Sequence, residues 1–309
     1  MSTRTKRANK KQTVSETVEK VEPQNVGENI EKVESEKQTK KKIVREPIRK
    51  NPPLPFQNNK SKGKHKFLKL IESIKDSENK TFIDLFGGSF FLSYLVHQVH
   101  PKSKIICNDF ENYKERLDKI PETNKLIELI RPLINENYNK ILSTETKKKI
   151  DELLNNYKGY IDLYTLSNCL LFAPHISKDL EDLNKRPYCN RIPKENYDEN
   201  IEKYLEGIEL VSKDWKELYD EYKEKDNIVF IIDPPIVSVD KNWTYSNNLD
   251  LIEILNESEY LLFTTISSGI TEIINFFKQK GIPLTKCEIL PYRMKKFSTI
   301  EEIILYHFK

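Results

Sequence analysis

The sequence predicts an α/β fold. Residues 81–86 form an apolar segment of strand length that ends in a glycine turn, and the apolar segment at 90–99 has the length of a helix. A second strand, at 104–107, follows and leads into Asp109. A strand, a helix and a strand with an acid at its tip, complete within about 30 residues, are typical of a dinucleotide-type half-fold.

The remaining elements follow from local periodicity and turn residues. Residues 113–225 show mostly helical periodicity and no continuation of the sheet, so we interpret them as an inserted helical region. The sheet is predicted to resume after this region and to end in an antiparallel hairpin at its edge. The other predicted elements are a helix at 66–74, strands at 228–233 and 260–265, helices at 250–255 and 270–280, and the hairpin strands at 287–290 and 302–307.

The first 50 residues differ in composition from the rest of the chain. They contain no Phe, Trp or Tyr, and 14 Lys and Arg against 8 Asp and Glu, whereas the whole chain has a net charge of +3. Such a segment buries too little apolar surface to offset its ordering entropy, so we expect a disordered basic tail. The tail is either a solvated leader or a source of salt-sensitive attraction to nucleic acid.

The domain prediction has three parts. Residues 1–50 are the tail, residues 51–112 together with 226–309 form the sheet domain, and residues 113–225 are the insert. The four cysteines have no paired spacing, which argues against a disulfide framework and a structural zinc site, and we expect no metal. The chain has no apolar run near 18 residues and no signal-like start, so we expect a soluble cytoplasmic protein without a membrane partner.

The turn after the first strand is a candidate ligand-binding loop. Gly87 and Gly88 would let the backbone approach a ligand, and the helix that follows points its amides toward the same place. Asp84 lies at the end of the strand, where it could face a cation. Asp109 could accept hydrogen bonds from ribose hydroxyls, or it could cap the helix that follows it; the sequence leaves both roles open.

The second candidate motif follows the strand at 228–233, with Asp233 149 residues after Asp84. Pro234 and Pro235 cannot continue a strand ladder, so they hold Asp233 in a fixed turn. An exocyclic amine on a nucleobase is a poor nucleophile, because its lone pair is delocalised into the ring. The Asp233 carboxylate and the Pro234 carbonyl could accept its N–H hydrogens while a methyl donor lies opposite.

The two motifs and their order resemble the Dam-type class of adenine-specific DNA methyltransferases, particularly the forms carried by phages. The likeness covers residues 52–309, with the run at 81–120, which begins TFIDLFGGSFFLSYLV, and FIIDPPIVSVD at 230–240 as its main parts. It implies a Rossmann-like S-adenosylmethionine-dependent methyltransferase sheet with an inserted helical DNA-recognition region. The implied cofactor is S-adenosylmethionine, and the implied partner is double-stranded DNA whose target base is flipped into the site.

The resemblance also implies a set of site residues. The implied catalytic residues are Asp233, Pro234, Pro235 and Ile236. The implied cofactor-binding residues are Asp84, Phe86, Gly87, Gly88, Asp109, Gly63 and Lys64.

Three positions depart from the family pattern. Phe90 replaces the last glycine of the loop, and we expect its benzyl group to clash with the cofactor. Ile236 replaces an aromatic residue on which the target base would stack, a contact that contributes roughly 1 to 3 kcal/mol. Upstream, Gly63 and Lys64 stand in for a glycine and lysine pair that closes over the cofactor.

These departures leave two main hypotheses. The first is an adenine methyltransferase that retains full or weakened activity, of the kind found in restriction-modification systems. The second is a non-catalytic DNA-binding protein on the same scaffold. A third possibility is methylation of RNA or of a glutamine amide, against which the long helical region between the motifs argues.

Overall fold

A computed structural model describes residues 47–56, 60–172, 175–233, 259–266, 278, 281, 288–293 and 301–307. Pro234, Pro235 and Ile236 lie outside the described residues, as do the predicted helix at 250–255 and nearly all of that at 270–280. No helix in the described ranges is long and apolar enough to cross a membrane.

The described elements follow the predicted order. The strands are β1 (Thr81–Asp84), β2 (Lys104–Asn108), β3 (Ile208–Val211), β4 (Ile228–Ile232), β5 (Glu259–Ile266), β6 (Glu288–Arg293) and β7 (Glu301–His307). The helices are α1 (Lys64–Ser73), α2 (Phe91–Val99), α3 (Tyr113–Asp118), α4 (Ile120–Ile130), α5 (Thr144–Asn156), α6 (Leu163–Leu170), α7 (Leu180–Asn184), α8 (Glu202–Leu205) and α9 (Trp215–Tyr222). Short 3-10 turns occur at Lys60–Gly63, Ser77–Asn79 and Arg131–Leu133.

The seven strands form one sheet in the order β3-β2-β1-β4-β5-β7-β6. The first five are parallel, and β7 is antiparallel to both β5 and β6. β1, β2 and β4 are almost continuously buried, as expected for parallel strands covered on both faces. The chain runs outward from β1 to β3 and then returns to the other side of β1 with β4. This reversal between β1 and β4 is a topological switch point, where doubly wound sheets bind ligands.

The prediction that the sheet does not continue within residues 113–225 is wrong at the C-terminal end of this range. Ile208–Val211 forms β3, which extends the sheet beside β2 and is followed by α9. β3 has only four residues and a half-exposed edge position, so its sequence, IELV, lacks the apolar run that marks the central strands.

The described residues include two apolar clusters that bear on the site. The first packs α1 and α2 against the sheet and includes Phe67, Leu95 and Ile105. The second lies within residues 126–192, between the helices that separate β2 from β3. The region between β2 and β3 therefore has a core of its own, while Tyr113 and Tyr204 at its two ends pack in the core of the sheet.

The predicted boundary of the basic tail at residue 50 falls slightly too late. The backbone N–H of Arg49 donates to the Tyr94 hydroxyl, and its guanidinium pairs with Asp198 at 2.8 Å. Ile48 also packs against the first apolar cluster. Residues 48 and 49 are thus part of the folded unit, because specific contacts to α2 and to the 198 loop offset the entropy of ordering them.

Candidate functional site

The structure brings Asp84 and Asp233 together at the carboxyl edge of the sheet. Asp84 is the last residue of β1 and is in register with Ile231 on the neighbouring parallel strand β4, so Asp233 follows two residues further along. Both carboxylates therefore lie at the switch point, and the charge of Asp233 is close enough to raise the pKa of Asp84. This is the juxtaposition that the two sequence motifs predict.

Asp84 is almost completely buried, with 1% of its surface exposed. Its Oδ2 accepts a hydrogen bond from the Ser93 hydroxyl of α2 at 2.7 Å and a weaker one from the Cys107 thiol of β2 at 3.8 Å. Its Oδ1 is buried and has no hydrogen-bond partner among the described residues. Burial raises the pKa of Asp84 to about 7; the Ser93 hydrogen bond opposes this rise, and the Asp233 charge adds to it.

Asp233 is paired with a lysine that the sequence analysis did not select. The Lys60 ammonium lies 3.0 Å from Asp233 Oδ1, and its side chain is only 4% exposed. Burial raises the pKa of Asp233 to about 6, and Lys60 opposes that rise. Five lysines lie within residues 60–69, so nothing local distinguishes Lys60, and only the fold shows which of them reaches the carboxylate.

Of the predicted pair Gly63 and Lys64, the lysine is bound to main-chain carbonyls. The Lys64 ammonium donates to the backbone carbonyls of Ile48 and Arg49, each at 3.1 Å. Gly63 is buried at the end of the 3-10 turn that begins with Lys60. Lys64 thus anchors the backbone of residues 48 and 49. Lys60 is the lysine that pairs with Asp233.

The glycines of the loop are required by the packing of the chain itself. A Cβ on Gly87 would lie 2.5 Å from Cys107 Sγ and 2.7 Å from the Asn108 carbonyl. Gly88 has a left-handed backbone with φ of +51°, and a Cβ there would lie 3.1 Å from the Phe56 ring. The loop therefore fits tightly against β2 and Phe56, which fixes its backbone at the edge where Asp84 lies.

Phe90, which the sequence analysis expects to clash with the cofactor, directs its side chain into the core. Its ring is completely buried in the first apolar cluster and packs edge-on against Tyr113, with the centroids 5.2 Å apart. Its backbone keeps the left-handed conformation that a glycine would favour, with φ of +61°. The side chain leaves this backbone toward the core, so the replacement preserves the course of the loop.

Asp109 caps a helix, which is one of the two roles that the sequence leaves open. Its Oδ1 accepts from the Tyr113 N–H at 2.6 Å, and its Oδ2 accepts from the Lys114 N–H at 3.0 Å. Both oxygens thus bind amides in the first turn of α3. Any ribose contact would use the remaining lone pairs of these oxygens.

Phe110 and Trp215 are aromatic residues near the site that the sequence analysis did not select. Phe110, directly after Asp109, is 67% exposed, although large apolar side chains are usually buried. Phe86 contacts Trp215 at the start of α9, with ring centroids 5.6 Å apart and both residues partly exposed. Phe110 could have been found from the sequence, because it directly follows Asp109 at the tip of a predicted strand. Trp215 could not, because its approach to Phe86 depends on where α9 packs.

The site has the chemical groups that S-adenosylmethionine requires. The buried Oδ1 of Asp84 has no hydrogen-bond partner among the described residues and can accept a hydrogen bond from an ammonium group. The exposed Phe110 ring can stack against a purine. These two groups fit the implied organic cofactor. In the described part of the chain, no cluster of three or more His, Cys, Asp or Glu side chains could hold a metal ion.

Comparison with known proteins gives one clear relative in sequence. A curated Haemophilus influenzae protein named "Putative methyltransferase" is 31% identical over 246 residues, covering 74% of this chain and 81% of that protein. No family model matches the chain.

The solved structures found by comparison are more distant in sequence. The human methyltransferase 10 domain containing protein has a TM-score of 0.37 at 9% identity, covering 80% of this chain and 82% of that chain. The precorrin-6y C5,15-methyltransferase of Geobacter metallireducens has a TM-score of 0.34 at 10% identity, covering 80% and 87%. By its sequence relative and its doubly wound sheet, this chain belongs to the methyltransferases and has the Rossmann-like fold of the S-adenosylmethionine-dependent class.

Proposed function

We propose that this protein transfers the methyl group of S-adenosylmethionine to the exocyclic amine of adenine in double-stranded DNA. The observation that carries the proposal is the placement of Asp84 and Asp233 on neighbouring strands at one switch point. One carboxylate can hold a cationic donor, and the other can engage an amine acceptor.

The roles of the two carboxylates follow from their surroundings. Asp84 is the more buried of the two, and its Oδ1 has no hydrogen-bond partner among the described residues, so it is suited to accept from the ammonium of the cofactor. Asp233 is 20% exposed and is followed in sequence by two prolines, so its carboxylate is held where a substrate can reach it. When bound, the cofactor supplies an electrophilic methyl group on a sulfonium. Asp233 accepts one N–H of the amine, which increases electron density on the nitrogen.

The choice of DNA as the acceptor is supported by two features outside the site. The cluster within residues 126–192 forms a separate core between β2 and β3, which provides a surface for recognition beyond the sheet. The first 50 residues have an excess of six positive charges, which favours a phosphate backbone. An adenine amine in a duplex becomes accessible only when the base is flipped out of the stack.

The experiment is a transfer assay with tritiated S-adenosylmethionine and the full chain. Unmethylated duplex DNA is the substrate, and structured RNA and bulk protein are the competing acceptors. We expect label in DNA, recovered as N6-methyladenine after digestion. Asp233→Asn removes the anionic acceptor and should lower turnover by about 100-fold or more, in the range of general acid–base contributions.

Asp226→Asn is the matched control, because Asp226 is exposed in the turn at the opposite end of β4. It should retain wild-type turnover. Label in RNA, in protein or at cytosine would overturn the adenine acceptor. Calorimetric binding of the cofactor and of DNA without any transfer would support the non-catalytic hypothesis, to which Ile236 points.

A further inference from the structure

The Lys60 ammonium is buried in a part of the sequence where lysines are otherwise accessible. Its side chain is 4% exposed, whereas Lys62 in the same 3-10 turn is exposed. A buried ammonium is costly unless it is paired. Lys60 meets this requirement through Asp233 Oδ1 at 3.0 Å, so the fold places this cation at the site.

The surroundings of Asp233 disfavour its charged form. Burial alone raises its pKa, and a second carboxylate, Asp84, lies on the adjacent strand β1. Among the described groups, Lys60 is the cation that lowers the pKa of Asp233. A protonated Asp233 would be a weaker acceptor for an amine N–H, so the function of the site depends on this cation.

The ion pair joins the Lys60 ammonium to Oδ1 of the Asp233 carboxylate at 3.0 Å. Lys60 can therefore fix the rotation of the carboxylate and keep its charge while the second oxygen accepts from a substrate.

We propose that Lys60 is a positioning residue that keeps Asp233 ionised and directs its Oδ2 toward the acceptor amine. The inference rests on the proposed function for the identity of the acceptor, an amine. It adds to the site a lysine that neither of the two sequence motifs contains. Lys60 acts on the substrate through Asp233.

The test compares pH profiles of kcat/KM for the wild type, Lys60→Met, Lys60→Arg and Lys62→Met. Met fills the space of the buried lysine stem without a charge, and thermal unfolding verifies that each variant is folded. For Lys60→Met we expect the acid limb to move up by about one pH unit, a roughly threefold loss at pH 6.5 that approaches tenfold near pH 5 and recovers toward pH 9. Lys60→Arg should restore the wild-type limb, and the exposed Lys62→Met should leave it unchanged.

A second readout does not depend on turnover. In protein labelled with carbon-13 at aspartate carboxyls, the resonance lost in Asp233→Asn identifies Asp233, and its titration should move to higher pH in Lys60→Met. An unchanged titration, or an unchanged acid limb in folded Lys60→Met, overturns the role of Lys60. If the titration moves while no acceptor is methylated by the wild type, Lys60 still controls the ionisation of Asp233, and the proposed function fails instead.

Discussion

Phe90 shows how one residue can depart from a motif and still preserve the backbone that the motif specifies. Its left-handed φ of +61° is uncommon for a bulky side chain and costs roughly 1 to 2 kcal/mol. The buried ring compensates by packing against Tyr113 in the apolar cluster that supports the sheet. The position thus became part of the core and did not become an obstruction of the site.

We therefore expect Phe90→Gly to destabilise the protein. The loss of a fully buried ring costs about 3 to 5 kcal/mol, which exceeds the relieved backbone strain, so the free energy of unfolding should fall by about 2 to 4 kcal/mol. Urea unfolding measures this change. Phe90→Ala, which loses the ring but keeps the strain, should be less stable still. A glycine variant with unchanged stability and tighter cofactor binding would show that the ring blocks the site after all.

Asp84 makes stability depend on pH near neutrality. Its pKa in the folded state, about 7, is higher than in the unfolded chain, so the folded state holds the proton more tightly. Its contribution to stability is complete at acid pH and is lost as the pH rises through 7.

We expect the free energy of unfolding of the wild type to fall relative to that of Asp84→Asn by about 3 kcal/mol between pH 5 and pH 8. Urea titrations at the two pH values measure this difference. Asp226→Asn serves as the control, because Asp226 is exposed and should leave the pH dependence as in the wild type. Parallel pH dependences for the wild type and Asp84→Asn would contradict the assignment.

At the scale of elements, Arg116 connects α3 of the sheet domain with α6 of the second apolar cluster. Its Nε donates to both oxygens of Asp162, whose carboxylate also caps α6 through the Thr165 N–H. Its guanidinium lies 4.3 Å from the centroid of the Tyr164 ring and donates to the Pro55 carbonyl. The ion pair is almost fully buried, with side-chain exposures of 13% and 2%.

Arg116→Met should leave the Asp162 charge buried without its partner and lower the free energy of unfolding by about 3 to 5 kcal/mol. Lys114→Met on the same helix is the control, because its ion pair with Asp118 is exposed and contributes at most about 1 kcal/mol. Thermal or urea unfolding of the two variants measures the contrast. Equal losses in both would mean that α6 is held mainly by its apolar contacts.

At the scale of the whole molecule, the two carboxylates of the site and the excess positive charge lie in different parts of the sequence. The parallel strands place the two carboxylates at the switch point between β1 and β4, where the chain reverses direction. The first 50 residues have an excess of six positive charges, although the total is only +3, so the remainder is slightly acidic. Attraction to phosphates would thus depend on the basic segment, and the chemistry would depend on the sheet.

Much of the fold could be predicted because the central strands have strong local signals. β1, β2 and β4 are continuous apolar runs, and the hairpin of β6 and β7 at the sheet edge is confirmed. β3 was missed because a short strand at the half-exposed edge has no such run. The approach of Lys60 to Asp233 across 173 residues of sequence has no local signal at all.

The sequence by itself determined the parallel sheet, the glycine turn and the two acids, because hydrophobic periodicity and turn residues act over short distances along the chain. The tertiary structure alone decided which lysine faces Asp233, where the Phe90 ring packs and that both oxygens of Asp109 cap α3. Each of these depends on burial and on partners from distant segments, and burial also changes the energy of a charge. Burial at the end of β1 thus raises the pKa of Asp84 to about 7, whereas the same carboxylate on an exposed loop would be ionised at neutral pH.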